Sequence, residues 1–216
     1  MIGIHNSLFF ENFGKVLTKY PAVDLKDLFS SGQIQSKRWV MNELEKLGID
    51  LGIVFVCAGW YGSLATFLLE SKLNTTKIRS FDIDPSCADI ADTFNKSFVM
   101  DGWKFKATTL DIMSMNYPTE YVTLRSDGSE VNITEMPNTI INTSCEHIER
   151  YTDWFNNIPD GMLIVLQSNN FFGLDEHVNC VKSIDDFISK SPMRDILFSG
   201  ELDLKKYKRF MIIGYK

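Results

Sequence analysis

The sequence predicts a doubly wound α/β fold whose mostly parallel sheet finishes in an antiparallel strand, and three observations carry that reading. From residue 53 onward, short apolar runs alternate with helical patterns, as parallel strands joined by crossover helices require. The first run ends in Ala58-Gly-Trp-Tyr-Gly62, and the second, about twenty residues on, ends in Ser80-Phe-Asp-Ile-Asp84. That is a strand, a tight glycine turn, a helix and a second strand tipped by a carboxylate. Near the C-terminus, residues 195–199 and 209–215 are β-like runs joined by a short polar loop. No crossover helix fits between them, so they must pair antiparallel.

Each element has its own warrant. The first fifty residues read as short helices. One lies over 24–29, and another over 34–47 has Ile34, Val40, Met41, Leu44 and Leu47 at helical spacing, with Gly48 placed to end it. Strands are expected at 53–57, 77–82, 105–108, 139–142 and 162–167. Helices are expected at 63–72, with Leu64, Phe67 and Leu68 inward, at 86–95 and 146–156, and from Val181 or Ser183 to Ser189. Between the third and fourth strands, β-branched residues at 121–125 and 130–134 flank Ser126-Asp-Gly-Ser129, the signature of an inserted β-hairpin. Two parts follow: a helical segment over 1–50, suited to a lid or acceptor-binding element, and a Rossmann-like domain over 51–216 with the hairpin around 121–134. In the first part, Lys37 and Arg38 are available for an anionic substrate.

The bulk numbers narrow the function. With 216 residues, 44% hydrophobic and 23% charged, the chain has an ordinary globular composition. A net charge of −6 argues against a duplex nucleic-acid binder, which needs a basic face. No apolar run approaches the roughly 18 residues of a membrane span, and no basic segment precedes an apolar one at the start, so a cytoplasmic protein without membrane contact is expected. Cys57, Cys87, Cys145 and Cys180 show no metal or disulfide spacing and read as reduced thiols.

The chemistry lies at the strand ends. A glycine turn lets a cofactor approach the backbone, and the acid ending the next strand accepts hydrogen bonds from ribose hydroxyls, so an adenosine-containing cofactor is expected. Asp84 precedes Pro85 at a helix start and reads as a capping residue, which leaves Asp82 for the ribose. Glu146, His147, Asp175, Glu176 and His177 fall near neighbouring strand ends, but their spacing matches no metal motif, and no metal is expected. The cluster Lys205-Lys206-Tyr207-Lys208-Arg209 reads as a solvated turn.

Taken in order, these motifs resemble the class I S-adenosylmethionine-dependent methyltransferases over residues 51–216. That resemblance implies a seven-stranded sheet with an antiparallel C-terminal strand, S-adenosyl-L-methionine as cofactor, and a methyl acceptor. It implies cofactor contacts from Ala58, Gly59, Trp60 and Gly62 in the glycine turn, and from Asp82 on the ribose. Ile83 would pack on the adenine, and Asp111 and Ile112 would lie at its amino group, although Asp111 also suits a simple strand end. Asn142 and Ser144 follow from the fourth motif, and His147 just beyond that strand is either the catalytic base or a residue that caps the next helix and shapes the pocket. The family's acid near the end of the first strand is replaced here by Val56 and Cys57. The segment Asn142-Thr-Ser-Cys145 lacks the proline and aromatic that hold a flipped base, which argues against a nucleobase amine and leaves other RNA or DNA positions open; a small-molecule acceptor at oxygen or nitrogen is expected first. RNA or protein acceptors, and a cofactor-binding protein without catalysis, remain as alternatives. A nicotinamide dehydrogenase is opposed by the terminal hairpin.

Overall fold

The computed structural model describes residues 5–216, with side chains from Phe9 onward. Helices α1 (His5–Lys19) and α2 (Ser31–Leu47) come first, joined through a 3-10 turn at Asp27–Phe29. Next come β1 (Gly52–Cys57), α3 (Ser63–Glu70), β2 (Thr75–Asp82), α4 (Cys87–Phe94), α5 (Lys96–Met100) and β3 (Phe105–Thr109). The hairpin is β4 (Thr119–Leu124) and β5 (Glu130–Glu135). The chain closes with β6 (Thr139–Asn142), α6 (Tyr151–Asn157), β7 (Leu163–Asn169), α7 (Ile184–Lys190), β8 (Asp195–Asp203) and β9 (Lys208–Tyr215).

Seven strands form one sheet in the order β3-β2-β1-β6-β7-β9-β8, with β9 antiparallel to both neighbours and the other pairs parallel. The central strands are apolar on both faces because helices cover both. In β1, Val54 and Val56 face a cluster shared with Val40 and Leu44 of α2 and Leu64 and Leu68 of α3. Phe55 and Cys57 face the opposite cluster, built on Trp154 and Phe155 of α6 and Phe187 of α7. Such alternation fixes strand register, since a slip of one residue would exchange the two faces. As expected, Gly48 ends α2 in the left-handed region, φ 62°, its N–H on the Leu44 carbonyl at 3.0 Å.

The hairpin forms its own two-stranded sheet, paired from Thr119↔Glu135 to Leu124↔Glu130. Glu135 secures it to β2: its carboxylate pairs with Lys77, accepts from Arg79 Nε at 2.7 Å and from the Tyr121 hydroxyl at 2.7 Å. Burial alone would raise the Glu135 pKa, but these hydrogen bonds win and hold it below the ordinary range.

Three sequence expectations need correction. Helix α1 is fifteen residues long, where only short helices were expected. The helix expected over 146–156 begins at Tyr151, because Cys145–His147 forms a 3-10 turn that draws Glu146 into the interior. Lys37 does not face a substrate. It is buried with its ammonium on Gln33 Oε1, and Arg38 is exposed away from the clefts described below.

Lys37 gives a pH test. Burial, then the nearby Arg209 charge, lowers its pKa to about 8. Between about 8 and 10.5 the folded chain therefore binds fewer protons than the unfolded one, so this group's contribution to stability rises with pH there. Below about 8 the cost of the buried charge is fully present. Lys37→Met should be more stable than the parent by about 1–3 kcal/mol at pH 7, with the advantage gone by about pH 10. Urea unfolding of both proteins across that range checks it, and a pH-independent difference would refute it.

Candidate functional site

Beyond the carboxyl ends of β1, β2 and β6 the strand order reverses, because β1 connects outward to β2 on one side and borders β6 on the other. Such a switch point opens a crevice in doubly wound sheets. Here the crevice has two connected halves, sharing Ala58, Asp82, Ile83, His147 and Ile148. One half, about 250 Å³, is completed by Asp111, Ile112 and Met113. The other, about 570 Å³, is completed by groups from the N-terminal helices, the loop after β7, and β9.

The glycine turn is held under strain. Ala58 (φ 54°) and Trp60 (φ 48°) both occupy the left-handed region, which costs a non-glycine residue about 1–2 kcal/mol. The cost is offset by fixed partners. Gly59 N–H donates to the Phe81 carbonyl at 3.0 Å, and Trp60 N–H donates to Asp82 Oδ2 at 2.8 Å. Asp82 Oδ1 accepts from Asp84 N–H at 3.1 Å, so one carboxylate ties the β1 turn to the β2 turn. Each oxygen keeps further acceptor capacity, and Asp82 lines both halves of the crevice. Asp84 is not the cap of α4, a position that Ser86 takes without a side-chain cap bond; its carboxylate instead accepts Ser86 N–H at 2.8 Å in the turn ahead of the helix. That bond is the main reason its pKa is lowered.

Both turn glycines are required by close packing. A Cβ on Gly59 would stand 2.0 Å from Ser80 Oγ. Gly62 is left-handed, φ 73°, and a Cβ there would meet Asn95 Nδ2 at 2.9 Å and Ala91 Cβ and Phe105 Cζ at 3.1 Å. Asn95 cannot yield easily, since it is buried and bonds Gly62 O, Ala91 O and Thr66 Oγ1. Gly62→Ala should cost about 2–4 kcal/mol, combining left-handed strain with overpacking. Thermal melting reads this directly, and a loss below about 1 kcal/mol would show that α4 moves away freely.

The remaining sequence candidates divide. Ile83 is 68% exposed and lines both halves of the crevice. Ile112 and Asp111 line the smaller half, where Asp111 Oδ1 also accepts Met113 N–H at 2.9 Å. Trp60 and Ser144 line the larger half. Trp60 also stacks on Tyr61, centroids 4.6 Å apart, and packs on the cluster of Val16, Leu28 and Phe94. Gly59, Gly62 and Asn142 line neither half. Asn142 is fully buried, its Oδ1 on Ser144 N–H at 2.8 Å and its Nδ2 without a partner. His147 stands exposed at the junction of the halves, with Nδ1 3.0 Å from the Glu176 carbonyl.

Several wall groups escaped the sequence reading. Asp27, Ser30 and Gln33 arrive from the N-terminal segment and Asn169 from the end of β7; His177 and Arg209, which the sequence placed near a strand end and in a solvated turn, join the same wall. Arg209, expected in a solvated turn, is buried, and its Nη2 meets Glu146 Oε1 at 2.8 Å. The four cysteines are free and buried, and burial pushes the Cys57 thiol up to about 12, which leaves it unsuited to nucleophilic work. Among the described residues, no helix is long and apolar enough to cross a membrane.

The sheet order with its antiparallel β9 defines the Rossmann-like methyltransferase fold. No protein-family model matches the chain, and no curated protein matches it in sequence. Solved structures do share its fold. Magnesium protoporphyrin IX methyltransferase (ChlM) from Synechocystis PCC 6803, with bound SAH, aligns at TM-score 0.58 and 13% identity, covering 98% of this chain and 95% of that one. The [4+2]-cyclase SpnF aligns at TM-score 0.62 and 10% identity, covering 87% and 84%. The small RNA methyltransferase HEN1 aligns at TM-score 0.59 and 14% identity over 87% of this chain and 27% of its own.

Proposed function

We propose that this protein is an S-adenosylmethionine-dependent methyltransferase acting on an oxygen or nitrogen of a small molecule. The observation that carries the reading is Asp82, half-buried at the tip of β2 between a strained glycine turn and the Asp111–Ile112 wall. In this reading the smaller half of the crevice takes the adenosine, with Asp82 on the ribose and Ile83 and Ile112 against the adenine. The larger half takes the methionine end and the acceptor. Methyl transfer is an in-line displacement at a carbon already activated by positive sulfur, so the protein's work is chiefly positioning. Where the acceptor must lose a proton, His147 is the base: its Nδ1 donates to a carbonyl, which leaves Nε2 free to accept.

Two features support a small acceptor. The larger half has the volume of an ordinary small-molecule site, and the chain's net charge is −6. The named structures include both a small-molecule and an RNA methyltransferase, so the fold itself is neutral on this point. SpnF, described as a cyclase on the same fold, gives weight to a second reading in which the cofactor pocket serves something other than methyl transfer.

Calorimetry with S-adenosylmethionine, S-adenosylhomocysteine and NAD tests the cofactor, with binding of the first two expected. Labelled-methyl transfer into a cell extract, sorted by size and by nuclease or protease sensitivity, tests the acceptor. Label in small, nuclease-resistant and protease-resistant material supports the proposal. Cofactor binding with no transfer favours the second reading, and absence of binding removes both.

A further inference from the structure

Glu146 and His147 follow β6, and His177 lies in the loop after β7, yet one donor atom from each falls within 4.8 Å of the others. Their surroundings prepare all three. His147 Nδ1 lies 3.0 Å from the Glu176 carbonyl, and His177 Nδ1 lies 2.8 Å from the Phe171 carbonyl. A carbonyl can only accept, so each Nδ1 carries the proton and each Nε2 keeps an open lone pair. Glu146 is held by one oxygen alone. Its Oε1 accepts from Arg209 Nη2 at 2.8 Å and Asn169 Nδ2 at 2.6 Å, while the buried Oε2 has no hydrogen-bond partner. Leaving a buried carboxylate oxygen unpaired is costly, and this oxygen is chemically suited to a cation.

We propose that Glu146, His147 and His177 form a binding site for one divalent first-row transition metal ion. Two imidazoles and a carboxylate suit zinc, iron, cobalt or manganese, whereas magnesium prefers an all-oxygen shell. Outer groups that fix the ligands are already present: backbone carbonyls on both histidines, and Arg209 with Asn169 on the carboxylate. Donors around an ion at about 2.0–2.2 Å stand roughly 3–3.5 Å apart, so the cluster must close by about an ångström. The exposed His147 ring, which stands edge-on to His177 at 4.7 Å, can make that movement by pivoting about its 3.0 Å contact with the Glu176 carbonyl. All three residues line the larger half of the crevice, so the ion's remaining positions face it. Resting on the methyltransferase reading, a bound ion would offer its open positions to an oxygen of the acceptor, and His147, the base in the metal-free chain, would then serve as its ligand.

The test uses the chain stripped with chelator and titrated with Co²⁺, Zn²⁺ and Mg²⁺ by calorimetry, with Co²⁺ also followed by visible absorption. One equivalent of Co²⁺ or Zn²⁺ should bind at least 100-fold more tightly than Mg²⁺. His177→Ala and His177→Gln should each weaken that binding at least tenfold while both variants still melt as single cooperative transitions. Failure of Co²⁺ and Zn²⁺ to bind a chain that still binds S-adenosylhomocysteine overturns the site, as does binding unchanged in both variants. Metal binding by a chain that ignores S-adenosylhomocysteine would support the site and overturn the proposed function instead.

Discussion

Asp82→Ala is expected to weaken S-adenosylhomocysteine binding by on the order of 100-fold, corresponding to about 3 kcal/mol for the lost hydrogen bonds to an ionised acceptor. Two effects combine. The ribose hydroxyls lose the carboxylate proposed to hold them. The N–H groups of Trp60 and Asp84 lose the oxygens that now fix them at 2.8 and 3.1 Å, so the strained turn loosens. Asp82→Asn separates these contributions only in part. An amide offers one acceptor, so its NH₂ must face one of two N–H donors. The loss should thus be nearly as large for Asn as for Ala, an unusual pattern for so conservative a change. Calorimetry on variants that melt as single cooperative transitions checks this, and unchanged affinity in Asp82→Ala would remove the assignment of the crevice.

How much of this was legible beforehand follows from the range of the forces involved. Strand and helix periodicity is local, so the alternating elements, the Asp-Gly hairpin and the antiparallel ending were readable from neighbouring residues. The glycine turn was also readable, though its reasons were not. Gly59 is needed because Ser80, twenty-one positions away, packs against it, and Gly62 because Asn95 and Phe105 do. The larger half of the crevice was least legible, because its walls come from segments far apart in the chain. Asp27 and Gln33 precede the sheet, His177 lies in an irregular loop, and Arg209 is the second residue of the last strand. The Lys37 error has the same origin. A lysine on an amphipathic helix is ordinarily solvated, and only the packing of α2 over β7 and β9 puts this one inside. The spacing of Glu146, His147 and His177 resembles no metal motif, since the third group is delivered by topology rather than by a short sequence repeat.

Arg209→Met should be the most damaging single change to stability, lowering it by about 3–5 kcal/mol. For a chain of this size that is a fall in Tm of about 10 °C. The guanidinium and the Glu146 carboxylate are both buried, with Nη2 on Oε1 at 2.8 Å and Nη1 on the Thr143 carbonyl at 2.8 Å and Ser36 Oγ at 3.3 Å. Methionine fills much of the volume and supplies no charge. Glu146 would then keep only Asn169 as a donor, with its charge uncompensated in a low-dielectric interior. The argument has a direct check in the second partner. Adding Glu146→Gln to Arg209→Met removes that stranded charge, so the double variant should recover a substantial part of the loss, and the double-mutant cycle should give a coupling of at least about 1 kcal/mol. Arg209→Lys should fall between, because an ammonium keeps the charge but cannot reach Glu146, Thr143 and Ser36 together. If instead the two single losses simply add, the pair is not coupled, and Arg209 stabilises the fold through its contacts with Thr143 and Ser36 alone.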